Sequence, residues 1–300
     1  MSETQVRALA VADGLAEPIG SVPQEEVGPR RWGLRRLLGQ PGLVLAVLAI
    51  LVALAWAAVP AVFTTYDPIT GVPAQRLVPP SAQHWFGTDH LGRDLYTRVV
   101  YGAGLSLRAT VIAVAIAFVV GSALGLLSGF FGGVVDTVLM RLVDVLLAVP
   151  GLLLSLAVVT ALGFGTTNVA IAVGVAAVAS FARVMRAEVL RVRRAAYVEA
   201  AGACGVRRIT TLWRHVLPNS TGPVLALAAL EFGSAILAVS ALSFLGFGAK
   251  PPTPEWGSLV SEGRNYLATS WWYTTLPGLV VVAVVLAANR IGRALDAGRR

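Results

Sequence analysis

Apolar positions along this chain fall into long uncharged runs, a pattern typical of helices that cross a membrane. A helix needs about 20 apolar residues to span the hydrocarbon core of a bilayer. The run at 145–182 is too long for one span, and the GFGTTN sequence at 163–168 is predicted to divide it by a tight turn on the outer side. The pattern therefore predicts an all-α polytopic protein whose six helices lie within residues 37–66, 109–135, 145–182 (two helices), 222–248 and 274–288.

Glycine recurs at every fourth position of the second predicted helix, as Gly121, Gly125, Gly129 and Gly133. Residues four apart share one face of a helix, and glycine lowers helix propensity. Its repetition on one face predicts a bare ridge on which another helix packs closely. A ridge that lines a pathway is the alternative.

Composition supports the membrane interpretation. The 300 residues are 56% hydrophobic and only 13% charged, with a mean hydropathy of +0.73. A soluble domain carries about 25% charged residues. The single cysteine, Cys204, excludes an intrachain disulfide and is interpreted as a small filler residue.

The net charge of +8 comes almost wholly from arginine, since Lys250 is the only lysine. These arginines flank the apolar runs, so membrane topology explains them better than nucleic-acid binding. Cytoplasmic loops carry the excess of basic residues, which predicts both termini and the loop before the fifth helix on the cytoplasmic side. The arginines concerned are 30, 31, 35 and 36, then 183, 186, 191, 193, 194, 207, 208 and 214, and finally 290, 293, 299 and 300.

Polar segments between the predicted helices contain pairs of opposite charge. On the outer side, Asp89 and Asp94 are predicted to pair with Arg93 and Arg98. This ion-pair network is preferred over a metal site built on the nearby histidines, His84 and His90, so no metal is expected. On the cytoplasmic side, the spacing in the segment 136–144 allows Arg141 and Asp144 to pair on a helix surface. At 271–273, a Trp-Trp-Tyr sequence is predicted to form an aromatic belt at the outer interface.

The cytoplasmic segment 197–220 is predicted to form two short helices. Gly205 can adopt a positive φ and end the first of them. Apolar residues at i, i+3, i+4 and i+7 predict a second helix over 206–216, and Pro218 is expected to stop it. The apolar stripe of that helix consists of Ile209, Leu212, Trp213 and Val216.

The same segment resembles the "EAA" loop of permease subunits from ATP-binding-cassette (ABC) importers. Glu199-Ala200-Ala201 is followed after three residues by Gly205 and later by Leu217-Pro218, with His215 where the family pattern has Ile. The stretch at 84–107 resembles the FGTDxxGRDxxSRxxxGxxxSL segment of the dipeptide/oligopeptide/nickel branch, and 242–259 resembles its LSFLGLGxxPPTPxWG segment. The chain is thus similar to the second, or C-type, permease of that branch.

This resemblance implies a type I ABC importer permease fold. Residues 1–29 are then a disordered cytoplasmic tail, and 30–107 hold the first transmembrane helix and an extracytoplasmic segment. A five-helix core at 108–296 carries the coupling loop at 186–220, and 297–300 form a cytoplasmic tail. Within the loop, the residues implied in coupling to an ATPase are Glu199, Ala200, Ala201, Gly205, Leu217 and Pro218.

The resemblance also implies partners in a bacterial plasma membrane. They are a homologous second permease, two ATP-binding subunits that hold ATP and Mg²⁺, and an external substrate-binding protein. The sequence itself has no G-x-x-x-x-G-K-[ST] motif and no recognisable nucleophile–base–acid set, so no enzyme activity and no cofactor bound by this chain are expected. Short peptides are the implied cargo, with nickel, heme or another small cargo as the alternative.

Glu231 interrupts the fifth predicted helix. An acid inside a span is costly and usually faces a bundle interior or a watery cavity. Contact with cargo, contact with a partner helix, and pairing with an arginine near the cytoplasmic end all stay open. Glu231 is also the only candidate coupling residue for the rival class of protein, an ion-coupled secondary transporter.

Overall fold

The computed structural model describes residues 40–297, and within them the chain is helical. The predictions for the tail at 1–29, for its flanking arginines and for 298–300 lie outside the described residues. The helices are α1 (Pro41–Ala58), α2 (Leu95–Phe131), α3 (Gly133–Ala148), α4 (Gly151–Leu162), α5 (Thr166–Arg193), α6 (Ala196–Ala203), α7 (Arg208–Thr211), α8 (Leu217–Phe244), α9 (Trp256–Gly263) and α10 (Trp272–Ala297).

Five helices in the described part of the chain are long and apolar enough to cross a membrane, and the count is six if α3 and α4 together form one broken span. The axes of α3 and α4 differ by 96° at the break. Pro150 causes this break because it has no N–H to donate and it restricts the residue before it. Val149 is accordingly extended, with φ −97° and ψ 130°. Hydropathy alone does not predict this bend, because the residues on both sides of the break are apolar.

Helix α2 begins at Leu95, well before the apolar run at 109–135 that marked it in the sequence. Asp94 caps it by accepting a hydrogen bond from the backbone N–H of Thr97 at 2.7 Å. Its first turns carry polar side chains that are nevertheless buried, including Arg98, which is fully inaccessible to solvent. Hydropathy therefore underestimated the length of the helix, because its polar turns are covered by protein.

Three glycines of the predicted ridge lie against α5. A Cβ added at Gly121 would meet the Cβ of Phe181 at 2.5 Å, and one at Gly129 would meet the Cβ of Val189 at 2.9 Å. Gly133 was expected to continue the ridge and does not. The helix ends at Phe131, Gly133 has φ +55°, and no atom lies within 4 Å of a Cβ placed there. The change of direction at Gly132 carries Gly133 away from α5.

Replacing Gly125 by Ala tests the close approach of α2 and α5. The new Cβ would lie 2.8 Å from the Cβ of Met185 and 2.9 Å from the backbone N of Arg186. Overpacking of this kind costs about 1–3 kcal/mol, so a lower midpoint of thermal unfolding is expected for the purified protein. Gly278→Ala is the matched control, since that helical glycine has no neighbour within 4 Å. A Gly125→Ala protein as stable as the control would contradict the packing.

The turn predicted at 163–168 is confirmed. Gly163 and Gly165 have φ values of +89° and +132°, which favour glycine. The side-chain N–H of Asn168 donates to the carbonyl of Leu162 at 3.0 Å and thereby closes the turn. The backbone N–H of Gly165 donates to Phe247 O at 2.9 Å, so the turn is tied to the loop after α8.

The aromatic belt predicted at 271–273 is wrong for two of its three residues. Trp271 is 53% exposed, whereas Trp272 and Tyr273 are buried. Their rings pack against Leu95 at the start of α2, beneath the segment that connects α1 to α2. This segment covers the two aromatic rings that the sequence alone would place at the membrane interface.

Candidate functional site

The loop between α5 and α8, which the sequence predicts to be cytoplasmic, begins with a helix that ends at a glycine, as predicted. Gly205 follows α6 with φ +78°. The backbone N–H of Val206 donates to Ala201 O at 3.1 Å, and that of Cys204 donates to Ala200 O at 3.0 Å. The first of these bonds is the six-residue closure of a Schellman motif, in which glycine occupies the left-handed position. Glu199, Ala200 and Gly205 are all exposed.

The second helix of the loop departs from its prediction because Pro218 does not stop it. After α7, residues Leu212–Val216 form a π-helical turn, and the backbone N–H of Leu217 donates to Leu212 O, five residues back. Pro218 then lies in the first turn of α8, where a missing N–H is tolerated. The wide turn accommodates the proline ring, so the helix runs from the loop into the membrane. Asn219 and Ser220 bond their side chains back to His215 O and Val216 O instead of capping a new helix.

The apolar stripe predicted for this helix divides between two surfaces. Leu212 and Val216 are buried, whereas Ile209 and Trp213 are 59% and 62% exposed. Tyr197 of α6 is also half exposed. Tyr197, Ile209 and Trp213 therefore leave large apolar side chains on the exterior of the loop. We call these three residues, together with the exposed Glu199 and Ala200, the loop surface.

The underside of the loop is fixed to the helix bundle. Val198, Leu212 and Val216 belong to one buried cluster with residues of α2 and α5. Close to the same end, Arg186 of α5 makes two hydrogen bonds of 2.6 Å to the carboxylate of Asp136 in α3, which also accepts from Ser128 Oγ of α2. A bidentate arginine–carboxylate pair fixes orientation as well as distance. The loop is therefore packed against α2 and α5, and α3 is tied to α5 near the same end.

The predicted pairing of Arg141 with Asp144 is wrong. Asp144 accepts a hydrogen bond from Arg183 of α5 at 2.7 Å, and both side chains are mostly exposed. Asp144 thus links α3 to α5 instead of forming an ion pair within α3. Sequence spacing could not show this, because the partner lies 39 residues away.

A buried ion-pair cluster lies at the end of the bundle that the sequence predicts to face outward. Asp89 is fully buried and binds Arg93 at 2.5 Å and Arg98 at 2.7 Å through one carboxylate oxygen. Glu262 of α9 lies 3.3 Å from each guanidinium and accepts from the hydroxyl of Tyr273. Burial raises the pKa of Glu262, and the charge of Arg93 opposes that rise. The predicted network exists, with Glu262 as a member that the sequence did not indicate.

Asp94 takes no part in that cluster, contrary to the prediction. Its carboxylate accepts from His84 Nδ1 at 2.8 Å and from the backbone and hydroxyl of Thr97, both at 2.7 Å. As the cap of α2, it faces the N–H groups of the first turn, so it is turned away from Arg98. His90 Nδ1 is 2.8 Å from the hydroxyl of Tyr273.

Ligand atoms of Asp89, His90 and Glu262 lie within 4.8 Å of one another, close enough to consider a metal ion. The two carboxylates already serve as acceptors for Arg93 and Arg98. Two guanidinium charges beside the same oxygens oppose a third cation. The arrangement favours the structural role over metal binding.

Glu255 is a second buried acid that sequence reasoning missed. It is fully buried and accepts from the backbone N–H of Ala249 at 2.8 Å and from Ser243 Oγ. Burial raises its pKa, and these hydrogen bonds oppose the rise. The adjacent Trp256 donates its ring N–H to Val99 O of α2 at 2.9 Å. The only sequence signal was the position of Glu255 among prolines just before a tryptophan.

Glu231 lies midway along α8, about 20 Å from either end at 1.5 Å per residue. This position contradicts an arginine pairing near the cytoplasmic end. The residue lines a cavity of about 230 Å³ between α2, α4, α5 and α8. Three serines, Ser155, Ser180 and Ser234, also line that cavity, and the other lining residues are mostly alanine and valine.

Comparison with known proteins identifies the family. The family described as binding-protein-dependent transport system inner membrane component matches residues 121–300. A dipeptide transport system permease protein of Alkalihalophilus pseudofirmus is 38% identical, over 93% of each chain. A probable D,D-dipeptide transport system permease protein of Escherichia coli is 40% identical, over 85% of this chain and 86% of its own. A glutathione transport system permease protein of Pectobacterium atrosepticum is 37% identical, over 89% of each.

Solved structures agree on the fold. A chain of the MetNI methionine ABC transporter in an inward-facing conformation superposes with a TM-score of 0.54 at 17% identity, covering 68% of this chain and 97% of its own. A chain of an amino acid ABC transporter gives 0.53 at 15%, covering 67% and 94%. Both support the predicted ABC importer permease fold. The chain belongs to the family of binding-protein-dependent transport system inner membrane components, the multi-pass permeases of ABC importers.

Proposed function

We propose that this chain forms one half of the translocation pathway of an ATP-driven importer of short peptides. The loop surface carries the proposal, because it joins exposed apolar side chains to a rigid base at the predicted EAA sequence. Similarity to permeases named for dipeptide, D,D-dipeptide and glutathione transport supports a peptide cargo. Nickel, heme or another small cargo is the alternative.

In the proposed assembly, this chain contacts or works with four kinds of partner. A homologous second permease completes the pathway, two ATPase subunits hold ATP and Mg²⁺, an extracytoplasmic binding protein delivers cargo, and lipid surrounds the spans. This chain itself binds no cofactor and no nucleic acid. It lies in the bacterial plasma membrane with both termini in the cytoplasm, a topology that the arginine distribution supports.

Coupling follows from the attachment of the loop. Closure of the ATPases on ATP moves the loop surface, which binds in a cleft on one of them. Val198, Leu212 and Val216 transmit the movement into α2 and α5, and the continuous helix from the π turn into α8 transmits it to the cavity wall. The pathway opens outward and then inward as the helices rotate as rigid bodies.

Co-purification and uptake test this function. An affinity-tagged chain extracted from its native membrane is expected to bring a second permease and two nucleotide-binding chains. The reconstituted complex with its binding protein is expected to accumulate labelled dialanine only with ATP. Uptake that needs no ATP and follows a proton or sodium gradient would instead identify a secondary transporter. ATP-driven uptake of nickel or heme, but not of dialanine, would support the alternative cargo.

A further inference from the structure

The carboxyl group of Glu231 is an acid without a partner in the part of the chain that the structure describes. No hydrogen bond or ion pair to it occurs among residues 40–297. The buried acids of the outer side, in contrast, each have two or more donors. An ionisable group inside a span is costly and marks a functional site by default. The described residues therefore supply no partner for this carboxyl group.

The position of Glu231 indicates where that partner would lie. Glu231, Ser234, Ala235 and Ala238 share one face of α8, and that face lines the cavity. Ser234 and Leu152 line the cavity and are exposed, so the space is accessible from outside the helix bundle. A volume of about 230 Å³ would hold roughly seven waters at about 30 Å³ each, or a small organic group.

The cavity wall would recognise charge and tolerate differences in shape. Glu231 is the only charged residue among those that line it, and alanines such as Ala113, Ala117 and Ala176 form much of the remainder. Phe181 and Leu152 are the only larger apolar side chains of the wall beyond two valines, so little of it would select one cargo by its contour. A carboxylate, with serine hydroxyls beside it, selects a cation that donates hydrogen bonds.

We infer that Glu231 is a cargo-binding residue that holds the cationic amino group of the transported molecule in this cavity. The inference rests on the proposed function and deepens it. A free ammonium is common to ordinary short peptides whatever their side chains. One acid in an alanine-rich cavity therefore suits a pathway that must accept peptides of many sequences and still bind each of them.

Cysteine accessibility tests the inference without ATP or binding protein. Ser180→Cys, in a Cys204→Ser background because Cys204 is exposed, places a thiol in the cavity that Glu231 also lines. The permease complex is treated with cationic 2-aminoethyl methanethiosulfonate and, separately, with the neutral methyl reagent. A cleft of one charge raises the local concentration of a counter-ion, so Glu231→Gln is expected to lower the cationic-to-neutral rate ratio about tenfold or more.

Protection and controls complete the test. Dialanine is expected to slow the modification of this cysteine, N-acetyl-dialanine is not, and Glu231→Gln should abolish the protection. Glu231→Asp should retain part of it. Asp144→Asn removes a carboxylate outside the cavity and should leave the rate ratio unchanged.

Three results would overturn the inference: an unchanged rate ratio in Glu231→Gln, equal protection by both peptides, or protection by sodium ions alone. If wild-type uptake of dialanine with ATP persists in that case, only the role of Glu231 is wrong. If wild-type complex fails to take up dialanine at all, the proposed peptide function fails separately, and the rate ratio still reports whether Glu231 attracts cations.

Discussion

Gly205→Pro is expected to abolish transport-coupled ATP hydrolysis while the protein still inserts into the membrane. Gly205 has φ +78°, and proline is restricted to φ near −65°, so α6 cannot end in its observed way. The N–H of Val206 would lose its bond to Ala201 O, and Glu199 and Ala200 would change their position. No atom outside the loop lies within 4 Å of a Cβ at Gly205, so the membrane helices should be unaffected. Deletion of residues 199–205 should have the same result.

A variant of the surface alone separates docking from folding of the loop. Trp213 is 62% exposed, so Trp213→Ala leaves the buried base intact. Tryptophans dominate many interfaces, and loss of one such contact costs about 2 kcal/mol or more, roughly 30-fold in affinity for the ATPase. Binding of purified ATPase to permease in nanodiscs measures the change.

Trp271→Ala is the matched control, since Trp271 is 53% exposed just before α10 and lies outside the loop surface. It should bind ATPase as the wild type does. If Gly205→Pro still couples ATP use to uptake, or if Trp213→Ala and Trp271→Ala bind ATPase equally well, the loop is not the docking element. Neither coupled ATP hydrolysis nor ATPase binding measures membrane insertion, so insertion of each variant checks independently that it folds.

Asp89→Asn is expected to destabilise the outer end of the protein strongly. The substitution keeps the size of the side chain and removes the charge that faces Arg93 and Arg98. Among the described residues, Glu262 would then be the only acid that forms an ion pair with the two buried guanidiniums. Loss of one partner from a buried ion pair costs about 3–5 kcal/mol, because the other charge is left uncompensated. Thermal unfolding of the purified protein measures the loss.

Asp144→Asn is the control for Asp89→Asn, because it breaks an exposed ion pair instead of a buried one. It removes a carboxylate from an ion pair whose two side chains are 62% and 56% exposed, and exposed pairs contribute about 0–1 kcal/mol. A large difference between the two variants is therefore expected. Equal thermal midpoints would mean that water, and not Asp89, compensates the two arginines.

The local features of the coupling loop could be predicted from sequence. Gly205 indicated the end of a helix because few other residues adopt positive φ, and the structure has that conformation. The continuation of the helix through Pro218 could not be predicted, because the π turn before it removes the usual clash between a proline ring and the preceding helical turn. Similarly, Ile209 and Leu212 looked equivalent in the sequence. Only the packing of Leu212 against the bundle distinguishes them.

By itself, the sequence determined that the protein is a polytopic helical membrane protein and the approximate places of its spans. Those properties depend on the length and composition of continuous segments, which a bilayer constrains directly. The tertiary structure decided which polar groups meet. It joined Asp89 to Glu262 through two arginines, paired Asp144 with Arg183, buried Tyr273 and left Glu231 facing a cavity. These outcomes depend on contacts between residues far apart in the chain, which no local pattern of hydropathy contains.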